Sequence, residues 1–161
     1  MRITATTARD VDALVALITS SPLLQRYGVT SRGARRSLVD ARRSGDLLLI
    51  TRDRGDIAGL TWIVPTRALD RAAYLRLLLV AEGRQSRGVG AALLREGERR
   101  VLRLGCRHMV LLVTTTNRRA RSFYKGQGYR YVGGLPGFVH PKIGESLYVK
   151  TLEAKARDRG R

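Results

Sequence analysis

The sequence predicts an α/β (α+β) domain with a mixed, mostly antiparallel central sheet of about six to seven strands flanked by about four helices. Three observations predict it. Short apolar runs of strand length alternate with segments in which apolar residues recur at helical spacing. Turn compositions, chiefly Asp53-Arg54-Gly55-Asp56, separate neighbouring runs. A glycine-rich loop joins one apolar run directly to a helix. The resulting order is strand, two helices, three strands, helix, strand, helix, two strands, which fits a mixed sheet better than a doubly wound one.

Residues 2–5 read as a short strand, and Thr7 is a suitable N-cap for a helix over 8–19 carrying Val11, Leu14, Val15 and Ile18. Ser21-Pro22 breaks it. A second helix starts at Thr30 or Ser31, carries Leu38 and Val39, and ends near Ser44-Gly45. Residues 47–50 and 57–64 form an antiparallel hairpin across the 53–56 turn, and Pro65 stops its second strand. The run from Tyr74 to Val80 reads as a buried central strand. A helix over Val89–Leu104 follows the glycines and stops at Gly105. Met109–Val113 is another buried strand, and Asn117–Gln127 is a short helix closed by Gly128. Tyr129–Val132 and Leu147–Leu152 read as two last strands around a Gly/Pro-rich loop at 133–144. One domain covers residues 1–154, and 155–161 form a basic tail expected to be disordered.

At 161 residues the chain can bury a core without staples. No apolar run approaches the 18 or more residues of a membrane-spanning helix, so no membrane association is expected. The N-terminus lacks a signal-peptide core, and the cytoplasm is the expected compartment. One cysteine, Cys106, excludes an internal disulfide, and with only His108 and His140 no metal site is expected. The charge is unusual: 31 Lys+Arg against 13 Asp+Glu give +18, nearly all of the cations Arg. Such a field attracts polyanions and disfavours polycationic substrates. The arginines are scattered, without the block that marks a nucleic-acid arm, so nucleic acid is disfavoured as a partner but stays open.

The informative stretch runs from Leu78 to Leu94. A buried strand enters a loop with Gly83, Gly88 and Gly90, and the loop opens onto a helix. Backbone N–H groups at a helix N-terminus lack partners and carry partial positive charge, and glycines let a phosphate approach them closely. Arg84 and Arg87 add charge beside the loop. A dinucleotide fingerprint fails because Leu93 stands where a third glycine is needed, and a Walker A loop fails because no Gly-Lys-Ser/Thr follows. Gly88 and Gly90 could also serve only tight helix–strand packing. A phosphate cradle of another kind remains.

The segment Gln85-Ser86-Arg87-Gly88-Val89-Gly90 resembles motif A of the GNAT superfamily of N-acetyltransferases, Gln/Arg-x-x-Gly-x-Gly/Ala. A second segment, Asn117-Arg118-Arg119-Ala120-Arg121-Ser122-Phe123-Tyr124 through Gly128-Tyr129, is similar to that family's motif B. The resemblance implies acetyl-CoA as cosubstrate, its pyrophosphate held by Gln85, Ser86, Arg87, Gly88, Val89, Gly90 and Ala91. It implies that the main chain at Leu78 and Val80 pairs with the pantetheine arm, the Val80 amide polarising the thioester carbonyl. Asn117 would cap its helix and reach the cofactor arm. Tyr124, two helical turns on, would line the cofactor site and act as the general acid for the departing thiolate.

An amine acceptor arrives protonated, so a base is expected. The strand before the loop holds no acid, and Glu145 and His140 fall in the late loop, where they read as surface residues. The base is left unassigned. Tyr27 is a candidate for the wall of the acceptor pocket, and Cys106 reads as a small buried hydrophobe. The expected function is transfer of the acetyl group from acetyl-CoA directly to a primary amine of a small-molecule acceptor. Protein or peptide acetylation, and a non-catalytic acyl-CoA- or nucleic-acid-binding module, are the alternatives. A homodimer is compatible with the resemblance.

Overall fold

From the N-terminus the elements are β1 (Ile3–Ala5), α1 (Val11–Thr19), α2 (Pro22–Arg26), α3 (Ser31–Ser44), β2 (Leu47–Asp53) and β3 (Asp56–Pro65). They continue with α4 (Ala68–Arg71), β4 (Ala73–Val80), α5 (Val89–Arg103), β5 (His108–Thr114), α6 (Arg118–Gly126), β6 (Arg130–His140) and β7 (Ile143–Thr151). The structure, a computed structural model, describes residues 1–153; the expected tail at 155–161 lies outside the described residues. Seven strands pair in the order β1-β2-β3-β4-β5-β7-β6. Among the described strands only β4 and β5 run parallel. The mixed, mostly antiparallel sheet expected from the sequence is therefore the observed one.

Local chemistry explains most boundaries. Arg54 and Gly55 take φ of 52° and 93°, the pair of positive values that a two-residue hairpin turn between β2 and β3 requires. The Thr30 hydroxyl accepts from the Gly33 N–H at 3.1 Å and caps α3. Two short helices, α2 and α4, go beyond the four helices expected from the sequence. Pro22 opens α2 rather than simply breaking α1, because proline suits the first helical position and Ser21 stands before it as N-cap. The other, α4, carries positive φ at Leu69 and Asp70.

The late chain corrects the sequence reading. Residues 133–144 are not a loop: β6 extends to His140 and β7 begins at Ile143, with register irregularities after Tyr131 and Pro136. Gly133, Gly134, Pro136 and Gly137 imitate a loop composition, yet β6 is an edge strand, where proline and bulges are tolerated because one row of backbone groups faces outward.

Helices cover both faces. On one, α1 and α3 bury Leu14, Ile18 and Leu38 against Leu48, Leu60 and Trp62. On the other, α5 and α6 bury Leu94, Val101 and Tyr124 against Ile63, Leu75 and Tyr148. The close approach of α5 to β3 rests on Gly97 and Gly59. A Cβ on Gly97 would lie 2.5 Å from Ile63 Cδ1, and one on Gly59 would lie 2.8 Å from Leu93 Cδ1 and 3.0 Å from the Leu79 carbonyl oxygen. Because a backbone oxygen cannot rotate away, Gly59→Val should destabilise the fold by about 1–3 kcal/mol through overpacking. The midpoint of urea unfolding reads this.

Candidate active site

The site begins with one extra residue in β4. Ile63 of β3 pairs with Leu75 and Trp62 pairs with Leu77, so Arg76 has no partner and forms a bulge. A bulge bends the strand that carries it. The parallel pairing of β4 with β5 stops there, at Leu75 opposite Leu111. Past the bulge β4 pairs only with β3. The Ala81 N–H donates to the Ala58 carbonyl at 3.0 Å, so the alternation of a strand turns the N–H groups of Leu78 and Val80 to the opposite side, toward β5. Those groups have no partner strand.

A cavity of about 610 Å³ opens in this gap. Leu77 and Leu78 form one wall, Leu112 to Thr114 another, and Tyr27 and Val29 from the chain between α2 and α3 close over it. Asn117 and Tyr124 also line it. The Asn117 side chain accepts from the Ala120 N–H at 3.0 Å, capping α6 and leaving its amide NH2 for the cavity. Tyr124 is buried, and its hydroxyl makes no protein hydrogen bond among the described residues. Burial pushes the phenol's pKa well above its ordinary value, so it holds its proton at neutral pH.

Beyond the end of β4 lies the glycine loop. Ser86 and Gly88 adopt φ of 61° and 77°, and Gly88 forms the N-cap of α5 with no side-chain cap. The helical ladder starts with the Ala92 N–H on the Gly88 carbonyl, at 3.0 Å. The N–H groups of Val89, Gly90 and Ala91 therefore stand outside it at the positive end of a 15-residue helix. A Cβ on Gly88 would meet nothing within 4 Å, and one on Gly90 would make ordinary contacts at 3.5 Å or more. Helix packing thus does not demand glycine here; that demand falls on Gly59 and Gly97.

The remaining sequence-predicted residues sort by surroundings. Leu78 and Val80 are half-buried on the open side of β4, and Ala91 is half-buried in the first turn of α5. The side chain of Val89 is buried toward Gly59, so only its backbone faces the loop. Arg87 is exposed. Arg84 turns away to an ion pair with Asp53 at 2.9 Å, which removes part of the charge expected at the loop. Gln85 and Ser86 are tied from outside: Arg119 donates to Gln85 Oε1 at 2.8 Å and to Ser86 Oγ at 3.1 Å. Sequence reasoning missed Arg119, although it sits inside the second motif.

It also missed a polar cluster. Glu145 is not a surface loop residue but lies within β7, 3% exposed, opposite Thr114 of β5. The Tyr27 hydroxyl donates to Glu145 Oε1 and lies 2.6 Å from Thr114 Oγ1. Burial, with Glu145 beside it, pushes the Tyr27 phenol up to about 12. Cys106 is buried, and burial raises its thiol as well, which suits an inert packing residue.

A family model for the acetyltransferase (GNAT) family matches residues 15–129, a span that includes the bulged strand, the glycine loop and α6. The chain belongs to the GNAT acetyltransferase family. Solved structures agree on the fold at low identity. An aminoglycoside 6'-N-acetyltransferase complexed with coenzyme A superposes with a TM-score of 0.81 at 16% identity, covering 96% of this chain and 99% of its own. An N-acetyltransferase from Staphylococcus aureus Mu50 gives 0.78 at 14%, covering 94% and 98%. A Salmonella typhimurium protein solved with its cofactor acetyl-CoA gives 0.77 at 16%, covering 96% and 95%. A search of curated protein sequences finds no match. None of the described helices is long and apolar enough to cross a membrane. In this GNAT chain the Asn117 cap fixes where α6 starts. Asn117→Ala should cost about 1 kcal/mol of stability, measured by denaturant unfolding.

Proposed function

We propose that the protein transfers the acetyl group of acetyl-CoA directly to the primary amine of a small acceptor. One observation carries the reading: a splayed β4–β5 pair ends at an uncapped helix N-terminus and encloses a buried phenol without a partner. The N–H groups of Val89, Gly90 and Ala91 would receive the pyrophosphate, with Gln85 to Gly88 curling the chain around it. Leu78 and Val80 would pair with the pantetheine arm as a strand pairs with its neighbour. The Val80 N–H would then lie against the thioester carbonyl oxygen and stabilise the charge that develops there. Tyr124 would donate its proton to the sulfur as the carbon–sulfur bond breaks, and burial keeps that proton in place until then.

A small acceptor is supported by the size of the cavity, about 610 Å³ to be shared between the acyl arm and the amine. At a hundred times its dissociation constant, acetyl-CoA should stabilise the protein by about 2.7 kcal/mol. Gly88→Glu should abolish that shift, since a carboxylate would then occupy the phosphate position. An equal shift from ATP or heparin would instead mark a general basic surface. Tyr124→Phe should slow acceptor-dependent CoA release by about 10²–10⁴-fold while leaving the acetyl-CoA shift intact. Arg119→Ala should weaken acetyl-CoA binding by about tenfold in calorimetry, through loss of two hydrogen bonds that hold the loop.

A further inference from the structure

Among the described residues, two carboxylates are buried, and they differ in one respect. Asp10 carries Arg52 as an ion-pair partner. Glu145 has no cation within ion-pair distance among the described residues, in a chain with 31 lysines and arginines. Isolated buried carboxylates are costly, and a paired or ligand-supplied cation is the usual remedy. Tyr27 donates to Oε1, whereas Oε2 accepts no hydrogen bond among the described residues. Glu145 lines the same cavity as Tyr124 and Leu78. Arg76, the other charged side chain at the cavity, is exposed and lies 4.8 Å over the Trp62 ring. The rest of the lining is dominated by apolar groups such as Leu24, Val29, Leu112 and Val139.

We propose that Glu145 binds the ammonium of the acceptor and takes its proton, that Tyr27, itself held by the Thr114 hydroxyl, orients the carboxylate, and that the acceptor is a primary amine on an apolar body. This rests on the acetyltransferase reading for the use of the proton, but not for the recognition of the ammonium. The ammonium gives one proton to Glu145, and the freed nitrogen lone pair forms the bond to the acetyl carbon. Loss of a second N–H proton and cleavage of the carbon–sulfur bond give the amide, and the sulfur leaves with a proton from Tyr124, which the second proton restores. The balance is R–NH3⁺ plus acetyl-CoA to R–NH–acetyl, CoA thiol and one proton, released to solvent from Glu145. Tyr27, on the chain between α2 and α3, keeps one carboxylate oxygen occupied while the other stays open to the incoming nitrogen.

The test separates recognition from chemistry. Hexylamine and 1-hexanol are titrated by NMR into the CoA-loaded protein, where no acetyl group can move. Hexylamine should bind at least about tenfold tighter than the alcohol, as a charged hydrogen bond to a buried carboxylate requires. Glu145→Gln should bring the ratio to near one while leaving CoA binding unchanged. Tyr27→Phe should keep the preference, because the carboxylate remains. Glu145→Gln should also unfold at the same or a higher urea concentration, since it removes a buried carboxylate that has no cation beside it while leaving an oxygen for the Tyr27 hydroxyl. Equal binding of amine and alcohol to the wild type, loss of preference in both variants, or a less stable Glu145→Gln protein would overturn the proposal. Amine preference without acetyl transfer from acetyl-CoA would sink the acetyltransferase reading and leave this one standing.

Discussion

The site depends on the failure of two parallel strands to stay paired. Without the bulge at Arg76, β4 would continue along β5 and its backbone groups from Leu77 to Val80 would be consumed by the ladder. With it, one side of β4 holds the sheet through β3 while the other side has no partner strand, its Val80 carbonyl meeting only the Gln85 side-chain amide at 3.5 Å. Such groups beside an apolar cavity are costly unless a ligand satisfies them. The same displacement makes room for Tyr124, Asn117 and Glu145 to meet around one space, although they come from α6, its cap and β7.

The second constraint is the position of α5. Its N-terminus must end up beyond the tip of β4, and the packing glycines Gly59 and Gly97 let the helix lie close enough to β3 to put it there. Chain economy then divides the glycines by task. Those in the sheet and the helix body bring backbones together, while Gly88 turns the loop and Gly90 leaves the first turn unobstructed. Arg119 links this loop to α6, so the element that carries Tyr124 also braces the loop that precedes α5. The high arginine content has a partial structural account: Arg52, Arg84, Arg99, Arg100 and Arg119 each hold a specific partner.

Much of the fold was legible because its signals are local. The 53–56 turn, the Thr30 cap, the Tyr74–Val80 run and the helix after the glycines each declare themselves within a few residues. The family motifs were legible for the same reason. What escaped depends on pairing across the chain. Tyr74 to Val80 reads as one continuous strand with Arg76 its single charge, and a lone charge does not tell that β3 skips that residue. Pro136 and its neighbouring glycines read as a loop because edge-strand status is a property of the sheet. Glu145 read as surface for that reason: only the register of β7 against β5 places it opposite Thr114, and only the chain after α2 brings Tyr27 to it.

An acetyl-CoA site that runs from the open side of β4 to the first turn of α5 would protect backbone amides of both elements at once. Hydrogen exchange of backbone amides, followed by NMR with and without acetyl-CoA, tests it most directly. The amides of Leu78, Val80, Val89, Gly90 and Ala91 should slow together on adding acetyl-CoA, and heparin should leave them unchanged. Protection confined to exposed arginine-rich segments, or the same pattern with heparin, would contradict it.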